Sequence, residues 1–247
     1  MSAQANSSQS ITSYSKASQT HDVLLNSTPD IMDSISHKAR RSAIAKSPQV
    51  LTDIYEDDIN LAVWQSDLPS NVELCVQDLI CQKPHFKAIM TVTPSDVLEH
   101  ITESFSGIAS SQALCQHISL LVDMFCTLFD LKYVGLRLKL LNNPMCPKFH
   151  VDKVPCRLVT TFHGAGTQWL AHSDVNRTKL GAGSQGKSDE VSGVINSDAR
   201  IQQLSSGDVA LLKGEWWHNN EQAGLVHRSP ALKENEYRLL LTLDFMN

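Results

Sequence analysis

No run of about 18 consecutive apolar residues occurs in this chain, so a helical membrane span has nothing to form it. The most apolar stretch, residues 114–131, is interrupted by His117, Asp123 and Asp130. The first residues are polar and carry no apolar stretch of the kind that marks a secretory leader. Cys-x-x-Cys pairs are missing too. The six cysteines, Cys75, Cys81, Cys115, Cys126, Cys146 and Cys156, are scattered, which gives a cysteine-rich zinc site little support. With no leader in view, reduced thiols and a cytoplasmic location are expected. Positive charge is not in excess either. Lys and Arg number 21 against 26 Asp and Glu, and the formal net charge of -5 offers no bulk field to nucleic acid or to anionic lipid. What is there, 42% apolar and 19% charged residues over 247 positions, suits one large globular domain or a domain with a helical annex.

Residues 1–45 read as a disordered polar tail, since seven of the first twenty residues are serine and few could enter a core. Residues 46–132 read as a strand and helical annex of the same domain. Residues 59–64 alternate as a strand does, residues 72–81 suit a short helix, and residues 86–92 suit another strand. Thr93, Pro94 and Asp96 make a helix start, with a hydroxyl cap, proline at the first position and an acid in the first turn. Val97, Ile101 and Phe105 then recur every four residues, and a second helix over 111–130 carries the stripe Leu114, Ile118, Leu121, Phe125 and Leu128. His100 and His117 beside these stripes are read as packing or surface histidines.

After Lys132 the period changes to two. Leu136, Leu138 and Leu140 alternate with Arg137 and Lys139. Further strands are expected at 157–162, 167–170, 201–204, 209–213, 225–230 and 237–245. Residues 171–198 lose all periodicity, hold Gly181, Gly183, Gly186 and Gly193, and are expected to form a flexible insertion. Helices first and then strands joined by Gly-rich turns give an α+β protein. The expected core over 133–247 is a double-stranded β-helix, or jelly roll, with N-terminal helices packed against it.

Within that core the stretch Lys148-Phe149-His150-Val151-Asp152 concentrates the chemistry. On a strand, a spacing of two puts His150 and Asp152 on one face. An imidazole and a carboxylate side by side make two-thirds of a 2-His-1-carboxylate facial triad, a ligand set that suits non-haem Fe(II). A His-x-acid pair alone occurs about once by chance at this composition; the residues downstream of this one, and their order, give it weight. His227 comes after the predicted 209–213 strand, and Arg238 stands eleven residues later at the head of the last apolar strand. His218 is the rival second imidazole, on a polar turn. Arg238 can hold a carboxylate with two parallel bonds, or form a salt bridge with Glu236 or Asp244. Thr242 shares its strand face. His163 ends the strand after the pair, Trp216 and Trp217 stand near the expected barrel mouth, and Cys146 and Cys156 flank the pair as potential soft ligands for zinc.

This order, His150-x-Asp152, then His227, then Arg238, resembles the Fe(II)/2-oxoglutarate oxygenase superfamily over about residues 133–247. The resemblance implies His150, Asp152 and His227 as metal ligands, Arg238 and Thr242 as the anchor of 2-oxoglutarate, and hydroxylation of a substrate that no residue identifies, whether small molecule or protein. At finer grain the chain resembles a bacterial domain-of-unknown-function family, number 1826. The matching pieces are Asn60-Leu61-Ala62-Val63-Trp64, Cys146 to Asp152, Gly164-Ala165-Gly166-Thr167-Gln168-Trp169 and His227-Arg228-Ser229-Pro230. That family resemblance also implies a zinc-linked role. A non-catalytic, cupin-like protein binding zinc or iron is therefore the second expectation, with Zn in place of Fe(II).

Overall fold

Ten strands and four α-helices, linked by 3-10 turns, make up residues 39–246, which the computed structural model describes. In chain order they are β1 (Arg41–Ala45), β2 (Ile59–Trp64), α1 (Val72–Gln82), β3 (Lys87–Val92), α2 (Val97–Ser104), α3 (Gln112–Phe129), β4 (Val134–Leu141), β5 (Cys156–His163), β6 (Gln168–Leu170), α4 (Asp189–Ser192), β7 (Gln202–Gln203), β8 (Val209–Lys213), β9 (Val226–Arg228) and β10 (Arg238–Phe245).

The strands form a seven-stranded sheet, β1-β2-β8-β5-β10-β4-β3, and a three-stranded sheet, β7-β6-β9. All pairings are antiparallel except β1 with β2. An isolated bridge between His150 and His227 adds residues around 150 to the small sheet beside β9. From β4 onward the chain shuttles between sheets. β4 is in the large sheet, His150 in the small, β5 in the large, β6 and β7 in the small, β8 in the large, β9 in the small and β10 in the large.

This shuttling explains why β10 is apolar almost throughout. Leu239, Leu241 and Leu243 face the helices, where they join Leu136, Leu138, Leu158 and Leu211 with Leu114, Ile118, Leu121 and Phe125 of α3. Leu240 faces the other way and joins Leu61, Val63, Val159, Ala210 and Leu212 with Trp169, Leu204 and Leu225 from the small-sheet side. A strand covered on both faces loses the alternation of a half-exposed one. Each buried leucine contributes about 1.5–3 kcal/mol of transfer free energy, so the central strands are the most firmly held. α3 ends where Asp130 takes a left-handed conformation, φ 51°.

Three boundaries depart from the sequence expectations. Of the expected polar tail, residues 1–38 lie outside the described residues, and residues 41–45 are not tail but β1, parallel to β2. Composition hides this strand because it buries little beyond Ala43 and is held by backbone pairing and by the Arg41–Asp58 ion pair. The helix expected from Thr93 begins at Val97, because Asp96 Oδ1 accepts from Thr93 N and closes a turn ahead of it. Residues 171–198, expected as a flexible insertion, hold 3-10 turns and α4. They bury Val175 and Val194 against Phe149, Leu170 and Val226 of the small sheet. Their apolar anchors are irregularly spaced, so neither a helical nor a strand period marks them.

Candidate metal centre

The strand expected at His150–Asp152 is reduced to an isolated bridge at His150, and the extended backbone around it builds the site. Phe149 is buried with Val226 in the cluster under the 171–198 segment, and Val151 packs on the same cluster. His150, between them, points to the opposite face. His150 N donates to His227 O and His227 N to His150 O, both at 3.0 Å, so the two residues sit directly opposite each other across the pair. Their rings come within 4.6 Å, centroid to centroid. Asp152, two residues on, returns to the same face. Its Oδ1 is 3.6 Å from His150 Nε2 and its Oδ2 is 3.3 Å from His227 Nε2.

One candidate ligand atom from each of the three residues lies within 4.8 Å of the other two. Cis ligand atoms on an octahedral ion stand roughly 3 Å apart, and the two imidazoles stand 3.6 and 3.3 Å from the Asp152 carboxylate. Both imidazoles are oriented by the backbone. His150 Nδ1 is 2.9 Å from Lys148 O and His227 Nδ1 is 3.2 Å from Leu225 O. A carbonyl only accepts, so each Nδ1 donates to it and each Nε2 is the ring nitrogen that faces Asp152. Burial and the neighbouring His227 push the His150 pKa down, which favours its neutral, ligating form. Burial opposes ionisation of Asp152. The hydrogen bond to His227 and the charges of His227, Arg157 and His150 outweigh it and hold the carboxyl well below the usual range.

A chain of ions supports the carboxylate. Arg157, the second residue of β5, donates from Nη1 to Asp152 Oδ2 at 2.6 Å. Its Nε donates to Asp244 Oδ1 at 2.6 Å and its Nη2 to Asp244 Oδ2 at 3.1 Å. Arg137 of β4 closes on Asp244 Oδ2 from the other side. Register explains the meeting, because Asp244 pairs with Arg157. Sequence reading weighed Asp244 only as a partner of Arg238 and missed Arg157. The signal was an arginine two residues into a strand, five residues from the acid of the pair, which by itself reads as a surface charge. Gly214 lets the β8 end pass close behind this turn; a Cβ there would collide with Val154 O and crowd Asp152 O.

Arg238 faces the inside of the large sheet and is 2% exposed. Its Nη2 donates to Thr161 Oγ1 at 3.0 Å and Thr167 Oγ1 at 2.8 Å, with Nε 3.3 Å from Thr161 Oγ1. No carboxylate pairs with it among the described residues. Glu236 caps the backbone of Lys233, and Asp244 belongs to Arg157 and Arg137. Burial pulls its pKa down to about 10. Thr242 is half-buried on the same strand face, opposite Arg137 and Val159, and takes none of Arg238's hydrogen bonds. The hydroxyls at the guanidinium are those of Thr161 and Thr167, which sequence reading passed over as strand residues.

The remaining candidates separate from the cluster. His218 is exposed in the turn after β8, and His163 is half-buried at the end of β5. Cys156 is wholly buried on the helix side of the large sheet, and Cys146 is exposed. Among the described residues no cysteine joins His150, Asp152 and His227, so the zinc alternative loses its soft ligands. Trp217 packs on Tyr55 and Phe129, and Trp216 is exposed.

Three solved structures are similar to the chain. One is the dioxygenase for auxin oxidation 1 from Arabidopsis thaliana in complex with 2-oxoglutarate, at 9% identity, TM-score 0.45, covering 84% of this chain and 92% of that one. Another is a prolyl-4-hydroxylase from Pseudomonas putida, at 11% identity, TM-score 0.41, covering 80% and 97%. The third is HygX from Streptomyces hygroscopicus with iron bound, at 13% identity, TM-score 0.43, covering 80% and 85%. No curated protein matches the sequence. A family model described as protein of unknown function (DUF1826) matches residues 45–244, and the chain belongs to that family.

Proposed function

We propose that the chain is an Fe(II)/2-oxoglutarate-dependent oxygenase on a double-stranded β-helix, with His150, Asp152 and His227 as metal ligands and Arg238 as the co-substrate anchor. The strand shuttling from β4 to β10 supports the fold reading. The observation that carries the functional reading is the pairing of two features. One is a two-imidazole, one-carboxylate cluster with each Nδ1 held by a backbone carbonyl. The other is a buried arginine with hydroxyl partners and no acid.

His150, Asp152 and His227 would hold a divalent iron and leave it a net positive charge, and the bound iron would supply oxidation coupled to a 2-oxo acid. The chain's own residues do the rest. Arg238 presents a fixed fork for a distal carboxylate, and Thr161 and Thr167 hold that fork in place. Thr242, on the same inner face, is positioned to line the path between that fork and the Arg157 end of β10. Leu240, Val159 and Trp169 keep water from the interior.

The test is anaerobic loading with Fe(II), then 2-oxoglutarate, then air. A visible chelate band should form on addition of 2-oxoglutarate, and succinate should appear after oxygen. The band should vanish in Arg238→Gln and in His227→Ala. Metal binding with neither band nor succinate would sink the oxygenase reading and leave a non-catalytic metal-binding protein.

A further inference from the structure

A cavity of about 640 Å³ lies under the 171–198 segment, on the opposite side of the small sheet from the metal triad. Its wall carries two opposite charges that do not meet each other. Arg177 Nη2 donates to Gly224 O at 2.8 Å and lies 3.3 Å from His172 Nδ1. Arg177 Nε and Nη1 are closed off from water and have no hydrogen-bond partner among the described residues. Glu215 lines the same cavity, and its charge acts on Arg177. Among the described residues no hydrogen bond or ion pair engages its carboxylate. Val175 and Leu180 supply an apolar wall, and Asn176 a neutral polar one.

A buried guanidinium with two unsatisfied N–H groups needs an explanation. A strand or helix partner is absent here, and burial holds the pKa of Arg177 below its usual value. Among the described residues no acid stands at ion-pair distance from Arg177 and no base at that distance from Glu215, and the two on one cavity wall form a complement to a molecule that carries both charges. We infer that this cavity binds a free α-amino acid with an apolar side chain, its carboxylate on Arg177, its ammonium on Glu215 and its side chain against Val175 and Leu180. The guanidinium has to turn to meet the carboxylate, since its unpartnered edge faces away from water in the structure as it stands. Val151, the residue between the two metal ligands, packs into the apolar cluster that holds Val175 and Leu180, and Glu215 N donates to Asp152 O at 3.0 Å. The site therefore adjoins the triad through one strand, yet none of its residues is a metal ligand, and the inference stands without the oxygenase reading.

The experiment is calorimetric titration of the full-length, metal-free chain with L-leucine and L-phenylalanine, and with 4-methylpentanoate as the leucine analogue that lacks the ammonium group. Binding of at least one amino acid is expected, with 4-methylpentanoate weaker by about tenfold because Glu215 then faces no cation. Arg177→Gln should weaken all ligands by about tenfold or more, and Glu215→Gln should erase the preference for the amino acid over its analogue. No heat from either amino acid, or equal affinity for leucine and 4-methylpentanoate in the wild-type chain, overturns the inference. So does binding that survives Arg177→Gln but is lost in Arg238→Gln, which would put the ligand inside the barrel. The wild-type comparison decides the matter even if a variant fails to fold.

Discussion

Arg157 holds the carboxylate of Asp152 by one oxygen. The contact from Nη1 to Oδ2 is 2.6 Å, while Oδ1 turns toward His150. An acid gripped in this way has little freedom to rotate, and Asp244 and Arg137 fix Arg157 in turn. Groups of this kind behind a metal ligand commonly matter by about 10–100-fold in metal affinity. Arg157→Ala is expected to weaken divalent-metal binding by about that factor, with Arg157→Lys in between because it keeps charge but loses the fork. Anaerobic competition titration with Fe(II) or Co(II) measures this. Unchanged affinity in Arg157→Ala would show that Asp152 needs no support.

The choice of second imidazole gives a sharper contrast. His227 is locked opposite His150 by two backbone hydrogen bonds, whereas His218 is exposed in a turn. His227→Ala should abolish tight metal binding, and His218→Ala should leave it within about twofold of wild type, since a surface substitution away from a site changes little. The same titration reads both. Loss of metal in His218→Ala would transfer the ligand role.

How much of this could be read from the chain depended on period. The Leu136/Leu138/Leu140 alternation, the four-residue recurrence in α3 and the His150-x-Asp152 spacing are local patterns, and each led to the element or face observed. The convergence of His150 with His227 rests on a pairing between residues far apart in the chain, and only the superfamily-like order of residues hinted at it. Arg157, Asp244, Thr161 and Thr167 were not legible. Their roles come from sheet register between β4, β5 and β10, and register is set by the whole sheet, not by any window of sequence. β1 escaped for a related reason: five residues with one buried alanine carry no hydrophobic period, and parallel pairing to β2 makes them a strand.

Arg238 is expected to cost the ligand-free fold stability. A guanidinium 2% exposed, with hydroxyl partners alone, carries a desolvation cost that no acid offsets. Arg238→Met is expected to raise the ligand-free unfolding free energy by about 1–3 kcal/mol. The same variant should lose the thermal stabilisation that 2-oxoglutarate confers on the metal-loaded wild type. Parallel melts with and without the ligand check both halves. A variant less stable than wild type without ligand would mean that Thr161, Thr167 and Arg238 act as a structural network.

Asp189 ties the 171–198 segment to the stretch that carries His150. Its Oδ2 accepts from Phe149 N and from Arg228 Nη1, both at 2.8 Å, and Arg228 lies over the Phe149 ring at 4.4 Å. Removing the carboxylate strands a buried N–H and leaves Arg228 with the exposed Glu190. Asp189→Ala should cost about 2–4 kcal/mol. It should also speed amide exchange across residues 171–198, and should lower metal affinity, because Phe149 precedes His150. If exchange accelerates there while metal affinity holds, the segment covers the strand without positioning it.

Lys213 sets a dependence on alkaline pH. It is 1% exposed, its Nζ donates to Glu56 O at 2.9 Å and sits 4.8 Å from the Trp217 ring centroid. Burial pulls its pKa down to about 8, against 10.5 in an unfolded chain, with the Arg40 charge adding to the fall and Cys156, Asp57 and Asp58 opposing it. Below about pH 8 the lysine is protonated in both states, and the folded state bears the full cost of the buried charge. Between about pH 8 and about pH 10.5 the unfolded chain still holds the proton and the folded one does not, so this residue makes stability rise with pH. The whole effect is about 3 kcal/mol at most. Lys213→Met removes it: the variant should be more stable than wild type near pH 7, and the advantage should shrink toward zero near pH 10. Urea midpoints at the two pH values, compared as variant minus wild type, cancel every other titrating group. A constant difference across that range would show that Lys213 keeps its ordinary pKa in the fold.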